Sequence, residues 1–242
     1  MNAIETRELT RVFGDLTAVD RLNLTVPEGE LFALLGVNGA GKTTAIRMLC
    51  GLLPPTSGDA LMLGHSIVSD AAAAKANLNV SPQETAVAAG LTVRENLEFI
   101  AGVYGMGRAA ARSAADEMIG RMGLEPVAKR RAKQLSGGWQ RRLSIAMGLI
   151  TNPKILFLDE PTLGLDVLAR RELWQVIESL HGKMTVVLTT HYLEEAEALS
   201  DRIGIMAHGR LKALGTAQSM IEQTGAKNFE DAFIALAAGE GV

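Results

Sequence analysis

The fold is decided by residues 31–44, which read Leu31-Phe32-Ala33-Leu34-Leu35-Gly36-Val37-Asn38-Gly39-Ala40-Gly41-Lys42-Thr43-Thr44. The first five are all apolar, which indicates a strand buried on both faces of a parallel sheet. The next eight match G-x-x-x-x-G-K-[ST], in which glycine-rich backbone curls its N–H groups around a polyphosphate at the start of a helix. In this pattern Lys42 reaches the β/γ-phosphates and the Thr43 hydroxyl binds Mg²⁺. The stretch therefore predicts a strand, a phosphate-binding loop and a helix.

Two further apolar runs predict more strands of the same sheet. One is residues 155–158, bounded by Asn152-Pro153 and Pro161, and the other is residues 184–188, which are rich in β-branched side chains. Upstream, residues 20–26 alternate between apolar and polar and are followed by Pro27-Glu28-Gly29, which predicts an amphipathic strand and a turn. The fold class is therefore α/β, with a parallel sheet covered on both faces.

Between the first and second buried runs the hydrophobic period becomes helical. Thr92-Val93-Arg94-Glu95 reads as a capping box that opens a helix, and breaks are predicted at Gly102, Gly105, Gly107, Gly120 and Gly123. Residues 84–150 are therefore predicted to be a helical lobe inserted into a core of residues 1–83 and 151–227. Residues 228–242 are predicted to be a short C-terminal helix and tail, with Phe229, Phe233 and Leu236 on one face of the helix.

An acidic pair follows the second buried run. Asp159 and Glu160 come directly after residues 155–158, and open α/β sheets bind ligands at the carboxyl ends of their strands. Asp159 is positioned to support Mg²⁺, and Glu160 to polarise an attacking water as a general base. Alone, the pair is also consistent with a solvated strand end. Because the same sequence contains the phosphate loop, the catalytic interpretation is favoured.

A second anion site is predicted at Leu135-Ser136-Gly137-Gly138-Trp139-Gln140, which offers a hydroxyl and glycine N–H groups at the start of another helix. Alone, this segment is also an ordinary N-cap and turn. One nucleotide has one phosphate tail, so two such loops have two possible arrangements. Either they meet within the chain, or they meet across a head-to-tail dimer that encloses two nucleotides.

Composition excludes several classes of protein. Of the 242 residues, 48% are hydrophobic and 21% are charged, which is typical of a packed globular chain. A net charge of −3 provides no basic field for a nucleic acid, so no nucleic-acid partner is expected. The single cysteine, Cys50, excludes an intrachain disulfide. Since no apolar run approaches about 18 residues and the start lacks a hydrophobic signal segment, we expect a chain that neither spans a membrane nor is secreted by itself.

Six short motifs occur in the order and at spacings similar to those of ATP-binding cassette (ABC) ATPases. The resemblance extends over about residues 4–238 and rests on Gly36–Thr44 (Walker A), Gln83 in Ser81-Pro82-Gln83-Glu84 (Q-loop), Leu135–Trp139 (signature), Ile155–Glu160 (Walker B), Leu163–Asp166 (D-loop) and His191 after Thr189-Thr190 (switch histidine). Each motif alone is weak or moderate evidence, whereas six in order are specific. The resemblance implies a P-loop NTPase core with a parallel sheet, an N-terminal antiparallel β subdomain and an inserted α-helical subdomain.

The resemblance also implies ATP and Mg²⁺ as cofactors and assigns roles to individual residues. The catalytic set would be Glu160, His191, Gln83 and Lys42. Mg²⁺ would be held by Thr43, by Gln83 and, through water, by Asp159. ATP would contact Phe13, stacked on adenine where Tyr is usual, and the loop residues Gly36, Asn38, Gly39, Ala40, Gly41, Lys42, Thr43 and Thr44. The nucleotide held by a partner copy would be bound in trans by Ser136, Gly137, Gly138 and Asp166.

Departures from the family pattern are modest. Trp139 occupies the fifth signature position, where Gln is commonest, and Val37 replaces a frequent Pro. Neither change removes a catalytic group, so the resemblance implies a homodimer with two complete sites.

Residues 91–100, 191–197 and 229–233 look like the corresponding segments of the branch that serves ABC-2-type exporters. The implied partners are a second copy and an integral membrane permease, which would hold the chain peripherally at the cytoplasmic face of the cell membrane.

Three other interpretations stay open to different degrees. An importer's ATPase shares the core motifs and differs only in peripheral segments. A soluble ABC ATPase of DNA repair or ribosomes usually has two cassettes, or a zinc or coiled-coil insertion, and this chain has one cassette and neither insertion. A P-loop GTPase would need an Asn/Thr-Lys-x-Asp motif, which the sequence lacks. Cargo and permease identity cannot be read from the sequence.

Overall fold

The structure is a computed structural model that describes residues 1–239. Its strands and helices alternate in the second half of the chain, whereas strands dominate the first. The strands are β1 (Asn2–Phe13), β2 (Leu16–Leu22), β3 (Thr25–Pro27), β4 (Leu31–Leu35), β5 (Ser57–Met62), β6 (His65–Ser66), β7 (Leu78–Ser81), β8 (Ile155–Asp159), β9 (Thr185–Thr190), β10 (Arg202–Ala207) and β11 (Arg210–Gly215). The α-helices are α1 (Lys42–Leu49), α2 (Ala71–Lys75), α3 (Val93–Val103), α4 (Arg108–Arg121), α5 (Gly137–Leu149), α6 (Val167–Glu178), α7 (Leu193–Leu199), α8 (Ala217–Thr224) and α9 (Phe229–Ala238).

The larger sheet has six strands in the order β11-β10-β4-β9-β8-β7. All neighbours are parallel except β10 and β11, which form an antiparallel hairpin at one edge. The three apolar runs predicted to be buried strands are β4, β8 and β9, and they lie side by side. The prediction of a parallel α/β sheet is therefore confirmed, and the carboxyl ends of these three strands meet at one edge of the sheet.

Successive residues of the central strands belong to different hydrophobic cores because side chains alternate across a sheet. In β4, Leu31, Ala33 and Leu35 pack with the helices of the inserted lobe and of the C-terminal half. Phe32 and Leu34 point to the opposite face, where they pack with α1 and the second sheet. A strand covered on both faces must be apolar at every position, which accounts for the unbroken run in the sequence.

The second sheet is antiparallel and is built on the long strand β1, which pairs with β2, β3 and β5. The strand predicted over residues 20–26 is wrong in extent, because β2 ends at Leu22 and β3 begins at Thr25. The cause is Thr6 of β1: its hydroxyl donates to the carbonyl of Leu22 at 2.8 Å and accepts from the amide of Leu24 at 2.7 Å. This buried side chain occupies the place of a strand-to-strand hydrogen bond and divides the ladder.

The inserted lobe contains α3, α4 and α5. The predicted capping box is confirmed, since the Thr92 hydroxyl accepts from the amide of Glu95 and the Glu95 carboxylate accepts from the amide of Thr92. Gly102 and Gly120 are each the last residue but one of a helix, since α3 ends at Val103 and α4 at Arg121, so these two breaks are confirmed to within two residues.

The C-terminal helix α9 packs on the larger core. Its N-cap is Asn228, whose side chain accepts from the amide of Asp231 at 2.8 Å. Phe229 is buried, and Phe233 and Leu236 are half-buried against the same core. The end of the predicted tail, residues 240–242, lies outside the described residues, and the division of the chain at residues 83, 150 and 227 stays a prediction. Among residues 1–239, no helix combines the length and the apolar character that crossing a bilayer demands.

Candidate functional site

A cleft of about 680 Å³ opens at the carboxyl ends of β4, β8 and β9. This is where a parallel α/β sheet is expected to bind a ligand. Most residues predicted to contact the nucleotide line the cleft, although they come from distant parts of the sequence. They are Phe13, Asn38, Gly39, Ala40, Gly41, Lys42, Thr43, Thr44, Gln83, Glu160 and His191.

The phosphate loop links β4 to α1, and its glycines are required by the backbone around them. A Cβ at Gly36 would collide with the carbonyl oxygen of Met206 on β10, and one at Gly41 would collide with that of Ala18 on β2. Gly41 also has φ of 103° and is the N-cap of α1, a conformation that L side chains rarely adopt. Gly36 does not line the cleft. It lies behind the loop, where it allows β10 to approach closely.

Lys42 is the first residue of α1 and its side chain is 5% exposed. Its Nζ donates to the carbonyls of Gly36 at 2.6 Å and Val37 at 3.2 Å, and lies 3.3 Å from Oε1 of Glu160. A buried ammonium is costly unless it is paired and hydrogen-bonded. The loop backbone therefore fixes the cation at the floor of the cleft.

Asp159 joins α1 to β9 beneath the cleft. Its Oδ1 accepts hydrogen bonds from the hydroxyls of Thr43 at 3.1 Å and Thr189 at 2.7 Å. Thr189 Oγ1 also accepts from the amide of Glu160 at 3.0 Å. The Thr43 hydroxyl thus keeps its lone pairs available on the side away from Asp159, which is the arrangement that a metal-binding hydroxyl needs.

Glu160 is the most constrained acidic residue of the site. Its φ is 49°, an uncommon left-handed conformation for a residue other than glycine, asparagine or aspartate. Its Oε2 lies 2.7 Å from Nδ1 of His191 and its Oε1 lies 3.3 Å from Lys42 Nζ. The turn after β8 therefore holds a buried carboxylate between a lysine and a histidine, directed towards the cleft.

Gln83 and Phe13 extend the cleft away from the sheet. Gln83 is exposed on the segment that follows β7. Phe13 ends β1 with 43% of its surface exposed, and the guanidinium of Arg11 lies 4.5 Å from its ring centre. A core aromatic would be buried, so this exposure favours a ring that is available for stacking on a planar ligand.

The second anion site predicted at residues 135–140 lies outside this cleft. Ser136 is the N-cap of α5, but its hydroxyl makes no capping hydrogen bond. Ser136 and Gly138 border a separate hollow of about 50 Å³ beside α6. Gly137 is exposed, and Asp166 is the N-cap of α6, where it accepts from the amides of Leu168 and Ala169. The two loops therefore do not meet within one chain.

Several site residues were missed by the sequence analysis. The Thr189 hydroxyl donates to the Asp159 carboxylate and accepts from the amide of Glu160. Thr189 directly follows the apolar run of residues 184–188, and this position at the end of a predicted strand could have indicated its role. Other wall residues come from the start of β2 and from the β10–β11 turn, where no short motif marks them. From the start of β2 they are Leu16, Thr17 and Ala18, and from the β10–β11 turn they are His208 and Gly209; Leu163, the first residue of the predicted D-loop, also lines the cleft.

Comparison with known proteins gives concordant results. The family described as ABC transporter matches residues 19–163. YbhF of Escherichia coli K12, a probable multidrug ABC transporter ATP-binding protein, is 44% identical over 239 residues, which are 96% of this chain and 41% of YbhF. DrrA of Streptomyces peucetius, a daunorubicin/doxorubicin resistance ATP-binding protein, is 43% identical over 92% of this chain and 68% of DrrA. The chain thus spans about two fifths of YbhF and two thirds of DrrA.

Two solved structures have the same fold. An ATP-binding subunit of an ABC transporter superposes with a TM-score of 0.84 at 26% identity, covering 97% of this chain and 99% of that one. The dimeric cassette MJ0796, bound to ADP and Pi after hydrolysis, gives a TM-score of 0.78 at 26% identity over 88% and 98%. The family match covers more than half of the sequence, and the fold and the motif positions agree with it. This chain therefore belongs to the ABC transporter family.

Proposed function

We propose that this chain binds and hydrolyses ATP. The observation that carries the proposal is the cluster at the floor of the cleft, where the buried Lys42 lies 3.3 Å from the buried carboxylate of Glu160 and the half-buried His191 lies 2.7 Å from the same carboxylate. Lys42 and the loop N–H groups bind the phosphates. Phosphoryl transfer demands little covalent chemistry of a protein, so positioning and charge neutralisation supply most of the catalysis.

Glu160 is the proposed general base. In the structure its two carboxylate oxygens contact Lys42 and His191, and a γ-phosphate would compete for both of these side chains. Release of Lys42 towards the phosphate leaves Glu160 Oε1 free to accept a proton from water. His191 holds the other carboxylate oxygen through Nδ1, and its second ring nitrogen is then directed away from Glu160 and available to the phosphate.

The residues present fit a Mg²⁺ ion accompanied by ATP. The fit rests on the Thr43 hydroxyl, which donates to Asp159 and so presents its lone pairs. Within residues 1–239, His, Cys, Asp and Glu form no group of three or more suited to a metal ion. This agrees with Mg²⁺, which binds through one or two protein oxygens plus substrate phosphates. Thr43 and Gln83 would hold it directly and Asp159 through water, and it would neutralise phosphate charge.

A second copy of the chain would complete the site. Ser136, Gly137 and Gly138 present an unused hydroxyl and amide groups at the start of α5, away from the cleft of their own chain. A head-to-tail dimer would bring this loop to the γ-phosphate held by the partner, with Asp166 connecting the two sites. The dimer named for MJ0796 supports this arrangement, which is proposed here for the present chain.

The hydrolytic cycle would drive transport through a separate membrane permease, most consistently an ABC-2-type exporter. The relatives YbhF, a probable multidrug transporter protein, and DrrA, a daunorubicin/doxorubicin resistance protein, support export. Helix α3 leaves Phe99, Val103 and Tyr104 exposed, and Asn96 of the same helix bonds the backbone at Ala88 after the Q-loop. This apolar surface beside the Q-loop is the proposed permease dock, at the cytoplasmic face of the membrane.

The enzymatic part of the proposal is tested with the purified chain. ATP binding is measured by displacement of a fluorescent analogue, and phosphate release by a coupled assay with and without Mg²⁺. We expect saturable ATP binding and hydrolysis that requires Mg²⁺. Absence of nucleotide binding by a folded protein would reject the assignment, and a strong preference for GTP would require a different base-binding surface.

The transport part is tested in the native host. Tagged Glu160→Gln protein, which is expected to stay in the ATP-bound dimer, is purified from membranes solubilised in mild detergent with Mg-ATP, and co-purifying proteins are identified. A polytopic membrane protein at near-equal stoichiometry is expected, and its fold separates export from import. Recovery only from the soluble fraction, with ribosomes, nucleic acid or nothing bound, would overturn the transporter assignment.

A further inference from the structure

Arg141 is a buried cation that none of the motif roles explains. It lies on α5, five residues after Ser136, and is 5% exposed. Desolvation lowers the pKa of its guanidinium, against the opposing effect of the carboxylates of Asp159 and Glu195. Arginine nevertheless remains charged in proteins. A charge held in such a place requires specific partners.

Those partners are two consecutive carbonyl groups of the Q-loop. Nη1 of Arg141 donates to the carbonyl oxygen of Pro82 at 2.7 Å, and Nη2 donates to that of Gln83 at 2.5 Å. The planar guanidinium fork fixes both distance and orientation, which a single donor cannot do. The backbone of Gln83 is thereby attached to α5, while its side chain remains exposed at the cleft.

Two more polar contacts follow along the same face of α5. The hydroxyl of Ser144 lies 2.8 Å from that of Ser81. The backbone carbonyl of Gly148 accepts from the side-chain amide of Asn79 at 2.9 Å. Positions 141, 144 and 148 are spaced by three and four, so they share one face of the helix. Helix α5 is thus attached to β7 and the Q-loop at three points, and Arg141 is the one nearest the nucleotide cleft.

We propose that Arg141 is a positioning residue that sets the place of the Gln83 side chain in the nucleotide cleft. The inference rests on the proposed role of Gln83 as a ligand of Mg²⁺. Without the guanidinium, the loop after β7 loses both backbone restraints at the residue whose side chain must reach the metal. Because α5 also begins at Ser136, one helix connects the loop facing a partner's phosphate with the loop facing the chain's own phosphate.

The test is a double-mutant cycle between Arg141→Gln and Gln83→Ala, with Arg121→Gln as the control. Arg121 is an exposed arginine of α4 in the same lobe, so its replacement removes the same charge without touching the Q-loop. Three quantities are measured for each variant: ATP affinity in EDTA, kcat at saturating Mg²⁺, and the Mg²⁺ concentration that gives half-maximal hydrolysis.

For Arg141→Gln we expect kcat to fall about tenfold and half-saturating Mg²⁺ to rise several-fold, whereas ATP affinity in EDTA stays within about twofold. In the Gln83→Ala background, Arg141→Gln is expected to have little further effect, because residues that act as one unit are not additive. A merely structural role would lower ATP affinity together with kcat and would add to the effect of Gln83→Ala.

Additive losses, or an unchanged Mg²⁺ dependence in Arg141→Gln, would overturn the proposal. If Arg141→Gln does not give a cooperative unfolding transition, Arg141→Lys takes its place in the cycle. Lysine keeps the charge but is expected to bond one carbonyl only, so the same Mg²⁺ shift is expected at reduced size. Failure of the proposed function would be recognised separately, because the unmodified chain and Arg121→Gln would then hydrolyse no ATP.

Discussion

The phosphate loop and the signature loop each stand at the start of a helix, yet their surroundings are opposite. In the phosphate loop, Lys42 is buried and bonded to loop carbonyls and to Glu160. In the signature loop, Ser136 is exposed and its hydroxyl caps nothing. The first loop is pre-organised by its own chain, whereas the second presents groups that its own chain does not use.

The difference indicates which half of the site is complete in a single chain. A donor that is already fixed loses little entropy when a ligand binds, so the cleft is expected to bind nucleotide without a partner. The signature loop has no cleft of its own, since its hollow measures about 50 Å³ against about 680 Å³ at the phosphate loop. Binding and turnover should therefore be separable by mutation, and three predictions test this; a fourth concerns the stability of the site.

Glu160→Gln is expected to have the largest effect. The amide keeps the shape of the side chain and can still contact His191, but it cannot accept the proton of the attacking water. We expect kcat to fall about 100-fold or more while ATP binding persists and an ATP-bound dimer accumulates, as measured by phosphate release and by size-exclusion chromatography with ATP. Hydrolysis near the parental rate would remove Glu160 as the base.

Ser136→Arg is directed at the other loop. A long cation at the start of α5 would obstruct the partner's cleft, so hydrolysis is expected to fall about 30-fold or more and the ATP-bound dimer of Glu160→Gln should disappear. ATP affinity of the monomer should not change. Ser113→Arg, on the exposed face of α4, is the matched control. Loss of all nucleotide binding in Ser136→Arg would show that the signature loop acts within one chain.

Lys42→Ala is directed at binding itself. Removal of the ammonium takes away the fixed cation of the loop and leaves His191 as the remaining contact of the Glu160 carboxylate. We expect ATP affinity to weaken about 10- to 100-fold, equivalent to ~1.4–2.8 kcal/mol, in a fluorescent-nucleotide titration. The exposed Lys129→Ala is the control. Unchanged affinity in Lys42→Ala would contradict the role of the phosphate loop.

Glu195→Gln should have the smallest effect and concerns stability alone. Glu195 is 1% exposed behind the switch histidine and accepts from the indole of Trp174 at 3.0 Å. Burial raises its pKa above the ordinary value of 4.5, with a further contribution from the charge of Glu160. A carboxyl whose pKa is raised by folding binds its proton more tightly in the native state, so its stabilising contribution is present below pH 4.5 and is lost as pH rises through the raised pKa.

Glutamine cannot titrate and keeps the oxygen that accepts from Trp174. We therefore expect the free energy of unfolding of Glu195→Gln to exceed that of the unmodified chain at pH 7.5 by about 1 kcal/mol, and the gap to close towards pH 4.5. Denaturant titrations at several pH values measure both. A gap that stays constant or widens at low pH would mean that folding does not raise the pKa of Glu195.

Much of the site was predictable because parallel strands bring their carboxyl ends to one edge. The apolar runs at residues 31–35, 155–158 and 184–188 identify three such strands, and each is followed by a polar motif residue: Lys42, Glu160 or His191. The sequence is enough to expect that these three residues lie near one another. The structure adds that they line one cleft and contact each other at 3.3 and 2.7 Å.

What could not be predicted depends on contacts between residues far apart in sequence. Thr6 divides a strand 16 residues away through one hydroxyl, and the guanidinium of Arg141 bonds a carbonyl 58 residues away. Neither hydrophobic periodicity nor a short motif indicates such a long-range hydrogen bond.

The order of strands across the larger sheet has a consequence for how the chain acquires activity during its synthesis. Strand β4, which leads into the phosphate loop, lies between β9 and β10 in the larger sheet, and these two strands are made some 150 to 170 residues later. The nucleotide cleft is therefore among the last features to form as the chain emerges from the ribosome, and most of its contacts are long-range, which slows folding. Until residue 207 has been made, the phosphate loop lacks one of its flanking strands. A nascent chain is thus expected to bind ATP only after β10 has been made.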